Sequence, residues 1–139
     1  MEEYDIVIIG AGPGGLTAGL YAGRQGTKTL ILDKGLTGGA GLMVPSMENY
    51  PGYDLIAGMS LIAKMKAQTE KNAEIHEIEG VETVDKVEGG FVLTTPKNNY
   101  SAKSIIFTGS PMSKTNSSPP SAMLPASKTS FAASGIVIK

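Results

Sequence analysis

The chain has 139 residues, 41% of them hydrophobic, and a formal net charge of −1. That is one ordinary domain with enough apolar material for a core, which excludes disorder throughout and leaves little for a second domain. The near-zero charge argues against a nucleic-acid or membrane-surface partner, and the lack of cysteine removes disulfides, thiolate zinc sites and cysteine nucleophiles together.

The start, MEEYD, is acidic, and the apolar run after it is too short for a signal peptide or a membrane span. A soluble cytoplasmic protein is the expectation. All 13 acidic residues lie at or before Glu88, and Lys97, Lys103, Lys114, Lys128 and Lys139 carry the only charges beyond it. Five scattered lysines do not make a basic patch.

Residues 4–9, YDIVII, read as a buried strand that is short, β-branched and ended by glycine. A helix over about 13–25 follows, opened by Pro13, whose fixed φ and missing N–H suit a first turn. Gly15, Gly19 and Gly23 share one face of it, smooth enough to lie close against a strand or a ligand. Gly26 ends the helix, and KTLILD at 28–33 is a second buried strand. A glycine-rich connection leads to a helix between 56 and 71, with Leu61, Ile62 and Met65 on its apolar side. Residues 74–95 read as an antiparallel meander of short strands broken at Glu88-Gly89-Gly90, with a turn at Pro96–Asn99. AKSIIF at 102–107 is the next buried strand.

From Ser110 to Ser134 serine, proline and alanine dominate, a composition that buries little apolar surface against the entropy of ordering. The expected division is a domain over 1–110 and a poorly ordered atypical tail over 111–139, in which GIVIK resembles the start of a strand.

The stretch DIVIIGAGPGGLTAG places Gly10, Gly12 and Gly15 at G-x-G-x-x-G spacing. That motif alone is weak, but here a strand precedes it, a helix follows, and an acid, Asp33, ends the second strand. Gly10 permits the tight turn, Gly12 lets backbone approach a pyrophosphate, and Gly15 lets the helix pack closely. The helix N-terminus offers oriented N–H groups and partial positive charge to phosphates. Asp33 accepts from both ribose hydroxyls and repels a 2′-phosphate. These features do not separate FAD from NAD, since both present an adenosine diphosphate. The meander, in place of a further β-α-β unit, and the run Gly38-Gly39-Ala40-Gly41 favour a longer cofactor extending past the second strand.

Residues 1–110 resemble the N-terminal FAD-binding portion of the low-molecular-weight thioredoxin reductases, in the two-dinucleotide-binding flavoprotein superfamily. The resemblance rests on IVIIGAGPGGLTAGLYAGR, Asp33, Gly38-Gly39, ENYPG at 48–52 and the TG turn at 108–109. It implies an α/β fold: an incomplete Rossmann-like FAD-binding domain, a parallel sheet with helices plus a small antiparallel meander. It also implies a site. Gly10, Gly12, Pro13, Gly14 and Gly15 would hold the pyrophosphate, and Asp33 the adenosine ribose. Lys34, Gly38, Gly39, Ala40 and Leu42 would wrap the cofactor, and Asn49 would sit beside the flavin ring. Val81 would offer a backbone contact to adenine, and Thr108 and Gly109 would complete the set.

The chain departs from the family pattern in three places. GGAGL stands where GGQL is usual, FTG where ATG is usual, and after Ser110 the resemblance stops. Relatives continue into an NADPH domain with a CxxC pair and pass hydride from NADPH through FAD and a disulfide to thioredoxin. The composition break at 110 is read as a truncated or frame-shifted sequence. The implied function is the FAD-binding portion of such an oxidoreductase, with a homodimer as its possible assembly. The alternatives are another flavin oxidoreductase or a non-catalytic nucleotide-binding remnant. No catalytic residue and no metal set is assigned. His76 is read as lying on a solvated strand, Glu48 as a loop carboxylate in water, and Met43, Met47, Met59 and Met65 as packing residues. Lys64, Lys66 and Lys71 are read as a solvated helix face.

Overall fold

The structure, a computed structural model, describes residues 1–109 and 136–138. Strand β1 (Glu2–Ile9) leads through the glycine loop into helix α1 (Pro13–Arg24), and β2 (Thr29–Leu32) follows. A short 3-10 helix (Gly39–Met43) and helix α2 (Gly58–Thr69) connect β2 to β3 (Glu74–His76). Then come β4 (Thr83–Val87), β5 (Gly90–Thr94), β6 (Asn99–Phe107) and β7 (Ile136–Ile138).

The strands form one sheet in the order β3-β2-β1-β6-β5-β4. The four strands β3, β2, β1 and β6 are parallel, the β1–β6 register running from Glu2↔Tyr100 to Ile9↔Phe107. The other edge of β6 is divided. Antiparallel β5 takes its first half, Asn99–Ala102, and antiparallel β7 takes Ile105–Phe107. The result is the expected Rossmann-like α/β sheet with an antiparallel arm.

The expected meander over 74–95 is corrected in its first part. Residues 74–76 pair with β2 in parallel, so β2-α2-β3 is itself a further β-α-β unit, and only β4 and β5 form the hairpin. The contrast with a simple nicotinamide-binding domain therefore rests on the arm and on the Gly38-Gly39-Ala40-Gly41 run. The order expected of residues 111–139 lies outside the described residues, apart from 136–138, where the strand read in GIVIK forms β7.

The adjacent residues Val7 and Ile8 point to opposite faces of the sheet and divide the core between them. Tyr4 and Val7 join Leu30, Leu32, Val84, Phe91, Leu93, Tyr100 and Ile105 on one side. Ile8 joins Ala11 and Ile31 on the other, where Ala18 of α1 packs. The glycine face of α1 explains itself here. A methyl at Gly19 would lie 2.5 Å from the Ile31 Cδ1, and one at Gly23 would overlap the Asn72 carbonyl. Small residues let α1 sit close on β2 and on the end of α2. Met43 and Met59, expected to pack, are instead 82% and 66% exposed.

Candidate functional site

The sequence Ile9–Leu16 turns the chain from β1 into α1 at the carboxyl edge of the parallel strands. Gly10 takes φ +109°, a left-handed value that suits glycine alone, and its N–H donates to the Leu32 carbonyl at 2.8 Å. Added carbon at Gly15 would overlap the Gly10 carbonyl oxygen, so α1 starts where it does because residue 15 has no side chain. Gly12 is different. Its φ is −73°, which any residue adopts, and a Cβ built there would meet nothing within 4 Å. No packing demand within the described residues calls for glycine at 12; the space in front of it is open.

Gly12 is also the N-cap of α1, without a side-chain cap. Pro13 has no N–H to leave unpaired, and the Leu16 N–H already bonds the Gly12 carbonyl at 2.9 Å. The first-turn amides of Gly14 and Gly15 thus stand at a helix end that carries partial positive charge and no acidic residue to neutralise it.

Asp33 lies one residue past β2, beside this loop. Its Oδ2 accepts the Ala11 N–H at 2.6 Å and its Oδ1 accepts the Gly35 N–H at 2.8 Å. Each oxygen keeps a further lone pair, so the carboxylate is aimed but not saturated. Ala11, fully buried, is held from both sides, because its carbonyl accepts the Gly38 N–H at 2.7 Å. The glycine loop and the β2 connection are in this way one hydrogen-bonded unit.

Polar groups on α2 and on the residues after β3 fix that connection from behind. The Glu77 Oε1 accepts both the Thr37 N–H and the Lys66 ammonium at 2.9 Å. The nearby Thr37 hydroxyl, which has no partner of good hydrogen-bonding geometry, acts together with those two donors to hold the Glu77 carboxyl down at about 2. Ile78 carries a left-handed φ of +54° and donates its N–H to the Gly35 carbonyl, and the Glu79 N–H donates to the Asp33 carbonyl at 2.7 Å. The Glu79 side chain is only 4% exposed, and its Oε1 accepts from Tyr100 at 2.7 Å and Thr95 at 2.8 Å. Burial opposes ionisation of Glu79, yet these bonds hold its carboxyl below the ordinary range. Burial and then Glu79 push the Tyr100 phenol up to about 12.

His76 belongs to this cluster, its Nδ1 lying 3.2 Å from the Tyr100 hydroxyl and 3.4 Å from Glu79. The expectation of a solvated strand is corrected: β3 is hydrogen-bonded to β2, and the ring is half-buried against Tyr100. Lys66 likewise leaves the solvated face expected for it to bond Glu77, whereas Lys64, Lys71 and Glu48 are exposed.

Gly10, Gly12, Pro13, Gly14, Gly15, Asp33 and Gly38 thus lie on or against one glycine loop. Thr108 reaches it from the end of β6, its hydroxyl donating to the Ile9 and Gly10 carbonyls at 3.1 and 3.0 Å. Its hydroxyl therefore serves the turn, and Gly109 lies over the Phe107 ring. Lys34, Gly39 and Ala40 are exposed on the β2 connection and Leu42 is half-buried beside Gly38. Val81 is half-buried at the edge of the core, following Gly80, which lies against Lys34. Asn49 stands apart, on an exposed loop closed by the Met47–Ile56 bridge. Ala11, Thr37, Glu77 and Glu79 were not anticipated from the sequence. Chemically the loop offers amide donors for an anion and an aimed carboxylate for a diol. No group of three or more His, Cys, Asp or Glu side chains suited to a metal occurs among the described residues.

The sequence pattern of the pyridine nucleotide-disulphide oxidoreductase family matches residues 4–128. The chain belongs to that family. It is 38% identical over 105 residues to a thioredoxin reductase of Treponema pallidum, covering 75% of this chain and 34% of the relative. To the thioredoxin reductase of Listeria monocytogenes it is 40% identical over 104 residues, 74% of this chain and 32% of that one. Among solved structures, T. acidophilum thioredoxin reductase superposes with a TM-score of 0.74 at 36% identity, over 77% of this chain and 35% of the other. Lactococcus lactis thioredoxin reductase gives 0.71 at 37% identity, over 75% and 34%. The chain spans about a third of the length of the relatives it matches. It is a thioredoxin-reductase-like domain of this oxidoreductase family, and no helix among its described residues is long and apolar enough to cross a membrane.

Proposed function

We propose that this domain binds FAD by its adenosine diphosphate half and serves a thioredoxin-reductase-type oxidoreductase. The observation that carries the reading is the open space at Gly12, beside an uncapped helix N-terminus and next to the Ala11–Asp33 bond. Packing accounts for Gly15, and an incoming group close to the backbone would account for Gly12.

In this reading the Gly12, Gly14 and Gly15 backbone binds the pyrophosphate, and Pro13 presets the first turn. Asp33 accepts from the ribose hydroxyls through the lone pairs that Ala11 and Gly35 leave free. Lys34, Gly38, Gly39, Ala40 and Leu42 follow the cofactor, Val81 meets the adenine and Asn49 the flavin side. Thr108 and Gly109 keep the glycine turn in place. A bound flavin supplies hydride acceptance and donation, while the protein supplies binding, orientation and exclusion of water. NADPH as donor and thioredoxin as acceptor extend the proposal to the whole oxidoreductase, as do a cytoplasmic location and a homodimer. The 139 residues hold no cysteine, so the thiolate that attacks a disulfide must come from residues outside them.

Calorimetric titration of the chain with FAD, ADP and NADP tests the reading. FAD and ADP are expected to bind more tightly than NADP, whose 2′-phosphate meets the Asp33 charge. A preference for NADP overturns it.

A further inference from the structure

We infer that Glu77 is a positioning residue for nucleotide binding, fixing the backbone after Asp33 through its bond to the Thr37 N–H; this rests on the nucleotide-binding reading above.

The connection from Asp33 to Gly41 makes most of its bonds within itself or to the glycine loop. Gly35 bonds Asp33, Gly39 bonds Leu36, Gly41 bonds Gly38, and Gly38 bonds Ala11. Glu77 acts on it from another element. It follows β3 directly, and one carboxylate oxygen joins Thr37 in the connection to Lys66 on α2. The neighbouring turn is built to keep it there. Ile78 is a β-branched residue at φ +54°, a conformation such residues avoid unless their surroundings enforce it. The enforcing bonds are visible: the Ile78 N–H to Gly35 and the Glu79 N–H to Asp33. Residues 77–79 therefore clasp the same segment three times, at residues 33, 35 and 37.

Such a clasp matters for a ligand because Gly35, Gly38 and Gly39 leave the segment conformationally loose. A loose loop must be ordered at the moment of binding, and that cost is subtracted from affinity. Glu77 meets the cost during folding. Its low ionisation range keeps it charged through all neutral and mildly acidic conditions, so the clasp does not open near pH 7.

The test uses the full chain, ADP as probe, and three variants. Glu77→Leu removes the acceptor, Glu77→Gln keeps an oxygen for Thr37, and Lys66→Met removes the ion pair while leaving the Thr37 bond. Glu77→Leu is expected to weaken ADP binding about tenfold, the scale of one lost hydrogen bond. Amide exchange at Thr37 should accelerate in step. Glu77→Gln should restore affinity to within about threefold, and Lys66→Met should leave it unchanged. ADP binding at wild-type strength in Glu77→Leu overturns the inference, as does an equal loss in Lys66→Met. If Glu77→Leu does not fold, Glu77→Asp, which withdraws the carboxylate by one carbon, carries the same expectation and the same refutation. Failure of the wild-type chain to bind ADP at all overturns the nucleotide reading itself, an outcome distinct from the others.

Discussion

Gly15 faces the carbonyl oxygen of Gly10 so closely that a methyl group at residue 15 would overlap it. Both partners are backbone, so neither can swing aside as a side-chain end would. Gly15→Ala should therefore destabilise the fold by about 1–3 kcal/mol, the scale of overpacking, read as a lower urea midpoint.

Gly12→Ala is the complementary experiment. Its φ is ordinary and its Cβ direction is open, so the loss of stability should stay within about 1 kcal/mol, the scale of a poorer N-cap. ADP and FAD affinity should nevertheless fall at least tenfold, about 1.4 kcal/mol. A Gly12→Ala chain that binds ADP normally would show that no ligand comes close there.

Asp33→Ala should weaken FAD and ADP binding by ~1–3 kcal/mol, because bonds to a charged acceptor are lost. It should also lower stability, since Ala11 and Gly35 lose their acceptor. Asp33→Asn keeps an acceptor without the charge, and calorimetry should find its discrimination against NADP reduced.

Glu77 sets an acid limit on stability. Its carboxyl ionises at about 2 in the folded chain, below the unfolded range near about 4.3. A depressed folded value contributes stability above the unfolded one and loses it as pH falls from there toward 2. The side chain is 29% exposed, so screening limits the contribution to about 1 kcal/mol. Urea midpoints from pH 6 to pH 2 should show the wild type falling toward Glu77→Gln, with the gap between them closing.

With NADPH and thioredoxin the chain should show no disulfide reduction above a free-FAD control at matched concentration. It carries no thiol to form a mixed disulfide. Sustained turnover well above the control would demand chemistry from another residue type.

What the sequence made legible is what local pattern determines. β1, the glycine turn, α1 and β2 each have their own period and punctuation, and their bounds differ from expectation by at most two residues. β3 was misassigned because three residues, Glu-Ile-His, carry no period, and only their pairing with β2 makes them parallel. The Glu79–Tyr100–His76 cluster was invisible for a related reason. Its members lie 21 and 24 positions from Tyr100, and an acid in a charged run gives no sign that it will be buried. Within the candidate site, Gly10, Gly12, Gly15 and Asp33 were legible from motif spacing. Those that hold the motif in place, Glu77 and Thr37 foremost, were not, because their meeting depends on how α2 returns the chain to the sheet.

The pairing of β1 with β6 joins positions 98 apart, Glu2 with Tyr100 and Ile9 with Phe107. A nascent chain thus emits β1 long before the strand that covers its free edge. At cellular elongation rates that interval is about 5–20 s, during which β1 has β2 on one side and an open ladder on the other. Closing a loop of this length must precede the contacts that reward it, so refolding should be slow, in the millisecond-to-second range of non-local topologies. The glycine turn itself is secured only with that pairing, since Thr108, whose hydroxyl bonds the Gly10 carbonyl, arrives at the end of β6.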